Sequence, residues 1–317
     1  MGKIVAGLAS SHAYALQEPD RWDAMRRRTL ERFRKRYGFD PPDQPRVLRE
    51  PLNVRAERYQ RVRDGLAFLR DRLREKKPEV LILVGDDQDE NFTEDNLPQI
   101  SIYIGDQFSV RDAGQPGGGT SKLDYRSHSK VASALLHGLV QRDFDVAYTR
   151  RFRDGLLLSH AHCQILTRMV PEADIPIVLL FMNAIHVPAI SPARCYRLGL
   201  AIKSIIMEES GEENVAVYGS GGLSHFTAGY PWLHYKGNFT LGSISEEFDR
   251  EAVQLLARGE GERLSAFTSR DLLDNGEIEL RSWLVVAGVV GAVRPQLLVY
   301  EPFYSGVMGM GVGYWEL

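Results

Sequence analysis

Two histidines come shortly after predicted strands, at positions where their side chains could do chemistry. His225 comes after the apolar run 215–218 and the glycine- and serine-rich segment 219–222, and His12 comes after the apolar run 3–9. In parallel α/β sheets, ligands bind beyond the carboxyl ends of the strands, so both imidazoles are expected near a binding crevice. The glycines indicate a tight turn in which the backbone approaches another group closely. A histidine that only hydrogen-bonds the backbone is the alternative interpretation of His225.

Acidic and amide side chains follow the most strand-like run in the first third of the chain, residues 80–84. The segment that comes next is Gly85-Asp86-Asp87-Gln88-Asp89-Glu90-Asn91. Burying these groups is costly unless they meet solvent, a cation or hydrogen-bond donors. The segment is therefore either a turn whose side chains bond to its own backbone or the polar lining of a metal or substrate site.

A carboxylate begins a predicted helix of small apolar residues. Glu279 lies in the first turn of the helix predicted over 277–290, where it would be costly unless it is paired or binds a metal. Two histidines and one carboxylate are the ligands of non-haem iron sites in which open positions remain for substrate and O₂. His12, His225 and Glu279, together with the glycine-rich segment 106–124 that resembles a mobile flap, therefore indicate such a site.

The composition excludes several other classes of protein. The 317 residues are 44% hydrophobic and 26% charged with a net charge of −3, which is typical of a globular protein and does not indicate a nucleic-acid partner. Cys163 and Cys195 form no CxxC pair, which fits a reducing compartment and argues against a structural zinc site. We find neither a signal-peptide pattern nor an apolar run of about 18 residues, and we therefore predict a cytoplasmic protein that does not span a membrane.

Helical and extended patterns alternate along the chain. Helices are predicted over 19–37, 52–76, 127–142, 192–209, 243–258 and 277–290, and strands over 3–9, 80–84, 100–105, 145–149, 175–183, 215–218 and 296–300. The tail after residue 300 is too irregular to assign. No repeat or low-complexity linker interrupts the alternation. We therefore predict an α/β fold in which residues 1–317 form a single domain with a mostly parallel or mixed central sheet flanked by helices.

Several short segments, in their order along the chain, resemble the class III extradiol dioxygenases, the family of the catalytic subunit of protocatechuate 4,5-dioxygenase. The most distinctive are Gly219-Ser220-Gly221-Gly222-Leu223-Ser224-His225 and Glu279-Leu280-Arg281-Ser282-Trp283. Weaker matches are Gly7-Leu8-Ala9-Ser10-Ser11-His12, Gly85-Asp86-Asp87 and Ser159-His160. Together these segments span nearly the whole chain.

The resemblance implies an Fe(II)-dependent dioxygenase that uses O₂ to open the ring of a catechol-like aromatic next to its hydroxyls. By the same resemblance, His12 and Glu279 are iron ligands, and His225 is the acid or base that assists deprotonation of the substrate. His160 occupies the place of a further histidine of the family, although the residue before it, usually Asp, is Ser159.

Substrate-binding residues and partners are predicted on the same basis. We expect Ser224, Asp87 and Phe226 to contact the substrate, and Phe226 begins a loop rich in glycine and aromatic residues, 226–239, that could wall the ring. The predicted partners are a small aromatic diol and O₂, and neither a nucleic acid nor a membrane is expected. A homo-oligomer is predicted, with or without the small partner subunit that some members of the family need.

One position departs from the pattern of the family. Where the family has its second histidine ligand, this chain has Gln88. The amide oxygen of glutamine is a neutral, harder and weaker ligand than imidazole. Three interpretations remain: Gln88 binds the iron, another histidine such as His128 or His160 replaces it, or the site is poor in metal. In the third case the protein would be a binding protein or a supporting subunit that has kept the fold.

Overall fold

The computed structural model describes residues 2–12, 18–40, 50–111, 122–152, 158–209, 211–225 and 244–317. The strands are β1 (Lys3–Ser10), β2 (Val80–Asp86), β3 (Ile100–Tyr103), β4 (Gln107–Arg111), β5 (Lys122–Arg126), β6 (Ala147–Thr149), β7 (Ile177–Met182), β8 (Asn214–Ser220), β9 (Leu297–Phe303) and β10 (Met308–Glu316). The helices are α1 (Trp22–Tyr37), α2 (Leu52–Lys76), α3 (Ser129–Val140), α4 (His160–Met169), α5 (Pro192–Glu209), α6 (Glu246–Ala257), α7 (Ser269–Asn275) and α8 (Leu280–Val290). Short 3₁₀ helices cover Pro19–Arg21 and Gly261–Ala266.

Eight of these strands form one sheet, in the order β6-β3-β7-β2-β8-β1-β10-β9. At its centre β7, β2, β8 and β1 run parallel, whereas β10 pairs antiparallel with both β1 and β9, and β3 pairs antiparallel with β7. The sheet is therefore mixed, which confirms the predicted single-domain α/β class. The domain bounds 1–317 stay a prediction.

The alternation of side chains along β2 divides the core into two layers, one on each face of the sheet. Val80, Ile82 and Val84 pack in the layer that contains α5 and α8. Leu81 and Leu83 point the other way, into the layer that contains α2 and α4. Both faces of the central strands are thus covered by helices, which explains why β2 is a continuous apolar run.

Two glycines bring α5 and α8 unusually close together. A Cβ atom at Gly199 of α5 would collide with the carbonyl oxygen of Val285, and one at Gly288 of α8 would collide with the carbonyl oxygen of Tyr196. The two helices therefore cross backbone against backbone, and the position of α8 over the sheet is fixed.

The predicted elements and the observed ones differ most in two places. The tail after residue 300, left unassigned above, contains the last three residues of β9 and all of β10, which is buried along eight of its nine residues. The predicted flap over 106–124 contains the hairpin β4–β5, whereas its glycine-rich segment 112–121 lies outside the described residues. In the described part of the chain, no helix is long and apolar enough to cross a membrane.

Candidate metal centre

Neighbouring parallel strands release polar side chains at the same edge of the sheet. β2, β8 and β1 are adjacent and parallel, and they end at Asp86, Ser220 and Ser10. His12 lies two residues beyond β1. Glu279 comes directly before α8, whose first turn lies over the end of β8. These side chains therefore meet at the carboxyl ends of the strands, as the sequence predicts for His12 and Glu279.

The Glu279 carboxylate lies at the centre of this group and is almost completely buried. Its Oε1 atom is 3.2 Å from Nε2 of His225 and 3.8 Å from Nε2 of His12, and it accepts a hydrogen bond of 3.1 Å from the amide of Gln88. Its Oε2 atom accepts a 2.5 Å hydrogen bond from the backbone N–H of Gly222. Burial raises the pKa of Glu279, but the imidazoles and this N–H lower it well below its usual range, so the group is ionised.

The tautomer of His12 follows from its contact with Ser220. The Ser220 hydroxyl donates its one hydrogen to the carbonyl oxygen of Ala161 at 2.6 Å, so it must accept the hydrogen bond of 3.0 Å that joins it to Nδ1 of His12. Nδ1 therefore carries the proton, and the Nε2 lone pair faces Glu279. Burial lowers the pKa of His12 to about 3, so the imidazole is neutral and ready to bind a metal.

His225 is held in a different protonation state. Its Nδ1–H group donates to the carbonyl oxygen of Leu223 at 2.7 Å, which leaves Nε2 to face Glu279. Burial lowers the pKa of His225, but the Glu279 carboxylate opposes burial and the net pKa is raised. The imidazolium form has a proton on each nitrogen, so it can donate from Nδ1 to Leu223 and from Nε2 to Glu279. His225 is therefore a buried group that can release or take up a proton at Nε2.

Asp86 and Gln88 complete the cluster from the turn after β2. Oδ2 of Asp86 accepts a 2.9 Å hydrogen bond from the Gln88 amide, whereas the buried Oδ1 has no hydrogen-bond partner among the described residues. Burial, followed by the charge of Glu279, raises the pKa of Asp86 to about 8. His12, Asp86 and Glu279 each place one potential ligand atom within 4.8 Å of the other two, and among the described residues this is the one such group. One imidazole and two carboxylates suit a divalent first-row metal ion.

His160 lies beside the cluster. Its ring is 4.9 Å from the ring of His12, edge to face, and its Nδ1 atom is 2.9 Å from a carboxylate oxygen of Glu90. Burial lowers the pKa of His160, but the hydrogen bond to Glu90 and its charge raise it to about 9. Ser159, which stands where the family usually has Asp, donates its backbone N–H to the Asn91 side chain at 2.8 Å.

The two described residues of the predicted substrate-binding set are engaged in local bonds. The Asp87 carboxylate accepts hydrogen bonds from three successive backbone N–H groups, at residues 90–92. The Ser224 hydroxyl donates to Asp249 at 2.8 Å and accepts from the backbone N–H of Ser245 at 2.8 Å. Phe226, the third residue of that set, lies outside the described residues. The Ser224 hydroxyl therefore holds the loop that carries His225, and the Asp87 carboxylate holds the turn that carries Gln88.

His128, named above as a possible replacement ligand, has a local role as well. It caps α3, where its Nδ1 atom accepts a 3.2 Å hydrogen bond from the backbone N–H of Val131.

The distinctive glycine-rich segment and the start of α8 fit each other sterically. A Cβ atom at Gly221 would lie 2.5 Å from the carbonyl oxygen of Glu279 and 2.5 Å from the Ser282 hydroxyl. The indole N–H of Trp283 donates to the Gly221 carbonyl at 2.9 Å. The two segments that carry the resemblance are therefore one structural unit, which fixes Glu279 relative to the end of β8.

Two residues of the cluster are absent from the set predicted from the sequence, Asp86 and Ser220. Asp86 belongs to the acidic segment described above, in which the sequence predicts Gln88 as the ligand. Its place at the end of β2, on the same face as Val80, Ile82 and Val84, was the available signal, because that face is the one covered by α8.

The fold and this cluster together define an α/β protein with a buried group of potential metal ligands beyond the ends of its central strands. Comparison with known proteins narrows the class. The family described as the catalytic LigB subunit of aromatic ring-opening dioxygenase matches residues 44–311, and the chain belongs to this family.

Several named proteins are similar in sequence to this chain. A 2,3-dihydroxyphenylpropionate/2,3-dihydroxicinnamic acid 1,2-dioxygenase of Comamonas testosteroni is 31% identical over 195 residues, which cover 59% of this chain and 57% of the relative. A gallate dioxygenase of Pseudomonas putida is 24% identical over 188 residues, which cover 57% of this chain and 51% of the relative. The matches to these two relatives thus span little more than half of their lengths. A further 2,3-dihydroxyphenylpropionate dioxygenase, of Cupriavidus necator, is 23% identical and covers 72% of this chain and 81% of its own.

A solved structure of an uncharacterized protein from Escherichia coli K12 is also similar. The superposition covers 80% of this chain and 91% of that protein's chain, with a TM-score of 0.47 and 16% sequence identity.

Proposed function

We propose that this protein is a non-haem Fe(II)-dependent extradiol dioxygenase that cleaves the ring of a catechol-like aromatic with O₂. The observation that supports this most strongly is the buried convergence of His12, Asp86 and Glu279 beside His225, in a chain that belongs to a family of ring-opening dioxygenases. His12 and Glu279 serve as metal ligands. A third ligand comes from the turn after β2, from Gln88 as predicted or from Asp86.

The ligand atoms are prepared for a cation before it arrives. His12 is neutral with its Nε2 lone pair directed at Glu279, and Glu279 is ionised. Neither group has to change protonation state to bind a metal, which removes one cost of binding. A ferrous ion, when bound, supplies the redox chemistry with O₂ that the side chains of this protein lack.

His225 accepts a proton from the substrate. Its Nε2 atom faces the Glu279 carboxylate, and that charge is what raises its pKa against the effect of burial. A cation bound to Glu279 would neutralise its charge and so weaken the support for the imidazolium, and His225 would then be available as a base. A neutral His225 would then accept a proton from a substrate hydroxyl at Nε2, while the Leu223 carbonyl keeps Nδ1 protonated and holds the ring in place.

His160 supports the same chemistry from its place beside His12, where the two ring centres are 4.9 Å apart. Because its pKa is raised to about 9 beside Glu90, it is protonated at neutral pH. A cationic imidazole next to the cluster would attract a substrate that has lost a proton, and it can serve as a proton donor later in the reaction.

The substrate class is an aromatic ring with adjacent hydroxyls. The names of the relatives describe proteins that act on dihydroxylated or trihydroxylated aromatic acids, which supports a diol substrate here. Phe226 stays a predicted contact of the ring, and Ser224 and Asp87 are proposed to act on the substrate by holding the loops around it.

The test is reconstitution of the protein with Fe(II) under anaerobic conditions, followed by addition of air-saturated buffer and a panel of catechols with and without a carboxylate side chain. We expect O₂ uptake and a new absorption band from the ring-opened product with at least one diol. Glu279→Gln is the matched control, because it removes the ligand charge with little change of shape. Iron-loaded protein that consumes no O₂ with any catechol would contradict the proposal.

The alternative interpretation, a metal-poor binding protein or supporting subunit, gains no support from these relatives, whose names are those of dioxygenases. A homo-oligomer, a small partner subunit and a cytoplasmic location stay predictions.

A further inference from the structure

We propose that Asp86, and not Gln88, is the third protein ligand of the metal, so that one histidine and two carboxylates hold it. Gln88 then acts as a hydrogen-bond donor that ties the two carboxylates together. This inference rests on the proposed function, since it assumes that a metal binds at this cluster.

The first support is the state of the Asp86 carboxylate. The residue is only 2% exposed, and its Oδ1 atom has no hydrogen-bond partner in the described ranges of the chain. A buried carboxylate oxygen without a partner is rare, because the lost hydration is not replaced. Its ligand atom lies within 4.8 Å of those of His12 and Glu279, so one cation could contact all three. A bound cation would remove the cost of burying this oxygen.

The second support is the orientation of the Gln88 amide. Its nitrogen lies between Oδ2 of Asp86, at 2.9 Å, and Oε1 of Glu279, at 3.1 Å. Because Glu279 is ionised, its oxygen can only accept a hydrogen bond, so the amide must present its NH₂ group there and direct its oxygen elsewhere. An amide binds a metal through its oxygen. For Gln88 to become a ligand, it would have to rotate and break both of these bonds.

The third support is the direction of the strand. Asp86 shares a face of β2 with Val84, and α8 covers that face. The strand therefore points Asp86 toward Glu279 without any special turn. Gln88, two residues beyond the strand end, reaches the cluster only through its longer side chain.

The inferred ligand set changes the charge of the site. Two carboxylates and a neutral imidazole cancel the charge of a divalent ion, whereas two histidines and one carboxylate leave one positive charge. Carboxylate is a harder donor than imidazole, so the site should discriminate less between Mn(II) and Fe(II). It should also stabilise Fe(III) relative to Fe(II), because added negative charge favours the more highly charged ion.

The experiment measures binding of Fe(II) and of Mn(II) under anaerobic conditions, by isothermal titration and, for Mn(II), by the loss of the free-ion electron paramagnetic resonance signal. The variants are Asp86→Asn, Gln88→Ala and Glu279→Gln, with circular dichroism to verify folding. We expect Asp86→Asn and Glu279→Gln to weaken binding by more than about 100-fold. Gln88→Ala should weaken it by about 10-fold, as expected for loss of a hydrogen-bond partner of the ligands.

The opposite pattern, near-normal affinity in Asp86→Asn with loss of binding in Gln88→Ala, would overturn the inference and leave the proposed dioxygenase intact. If Asp86→Asn does not fold, Gln88→Ala decides alone: a loss of affinity smaller than that of Glu279→Gln supports the inference, and a loss as large as that of Glu279→Gln overturns it. A wild-type protein that binds neither metal would overturn both the inference and the proposed function.

Discussion

The hydroxyl of Ser220 fixes the protonation of His12. It donates to the carbonyl oxygen of Ala161 and accepts the Nδ1–H of His12 at 3.0 Å, so the free Nε2 atom of His12 faces Glu279. Since Ala161 belongs to α4 and Ser220 ends β8, this contact also links the helix on one face of the sheet to the cluster at its edge.

Removing this hydroxyl should weaken metal binding without changing the fold. In Ser220→Ala, the His12 ring loses the acceptor that selects its tautomer and orientation, and outer partners of this kind contribute about 10- to 100-fold in affinity. The measurement is the anaerobic Fe(II) dissociation constant. Ser220→Thr is the matched control, because it keeps the hydroxyl and should bind metal nearly as the wild type does. Equal affinity in the alanine variant would show that Ser220 does not orient the ligand.

Loss of His225 should separate proton transfer from metal binding. In His225→Ala we expect iron to remain bound, while turnover falls by the roughly 10²- to 10⁴-fold typical of a lost acid or base. Glu279→Ala should behave in the opposite way and lose most of the iron. Iron content and turnover of both variants, measured side by side, check this. Loss of iron from the His225 variant would assign His225 to the metal ligands.

A methyl group at Gly221 should disturb the start of α8. The added Cβ would lie 2.5 Å from both the Glu279 carbonyl oxygen and the Ser282 hydroxyl, so α8 must shift. We expect Gly221→Ala to lower the free energy of unfolding by about 1–3 kcal/mol and to weaken metal binding.

Gly65→Ala provides the control for this substitution. Gly65 lies inside α2, where the three atoms nearest to the new Cβ would be side-chain atoms of Val312, at 3.3–3.4 Å, and alanine favours the helix. Its unfolding free energy should change less than that of Gly221→Ala. Urea denaturation of both variants measures the difference, and equal losses would mean that close packing at Gly221 is unimportant.

Buried His162 should make the protein sensitive to acid. Its Nε2–H donates to the Leu180 carbonyl at 3.1 Å, its Nδ1 atom is 2.6 Å from the Ser159 hydroxyl, and burial lowers its pKa to about 4 from the model-peptide value of 6.5. Between these two values the unfolded chain binds the extra proton. Stability from this group is therefore complete above about pH 6.5 and is lost as the pH falls toward 4.

The matched variant is His162→Gln, which keeps a donor for Leu180 but does not titrate. Between pH 7 and pH 5 the wild type should lose about 2 kcal/mol more unfolding free energy than this variant, because the contribution of all other groups cancels. Urea denaturation at the two pH values measures the difference. Parallel losses would show that His162 is not the acid-sensitive group.

The sequence predicted most of the strands, and it placed His12 and His225 at one edge of the sheet because both follow apolar runs. Glu279 was predicted from the cost of burying a carboxylate at the start of an apolar helix. The sequence did not predict the hydrogen bond from His12 to Ser220, which depends on the packing of α4 against β8. Two residues of the acidic turn have different surroundings in the structure. Asp87 bonds to its own turn, while Asp86 faces the cluster.

β10 shows why the end of the chain was difficult to predict from the sequence. Its large residues Met308, Met310, Val312 and Tyr314 face one core layer, and glycines alternate with them on the other side. At Gly311 a Cβ atom would lie 2.9 Å from the ring of Trp283, so the indole fills the space that a side chain would take. Glycine in the interior of a strand weakens the strand, so the sequence alone does not predict β10. The alternation of glycines is explained by the packing of other side chains, such as the Trp283 ring, against them.

The crossing of α5 and α8 at Gly199 and Gly288 constrains how many residues the first part of α8 contains as well as which residues they are. Because the two backbones touch there, α8 cannot rotate about its axis or slide along it, and Gly221 blocks its first turn in the same way. Each residue of an α-helix turns by about 100° and rises by about 1.5 Å. A residue inserted or deleted between Glu279 and Gly288 would therefore leave the helix in place but carry the carboxylate to another side. Substitutions on the outer surface of the molecule should be tolerated far better than any change in the spacing of these two residues.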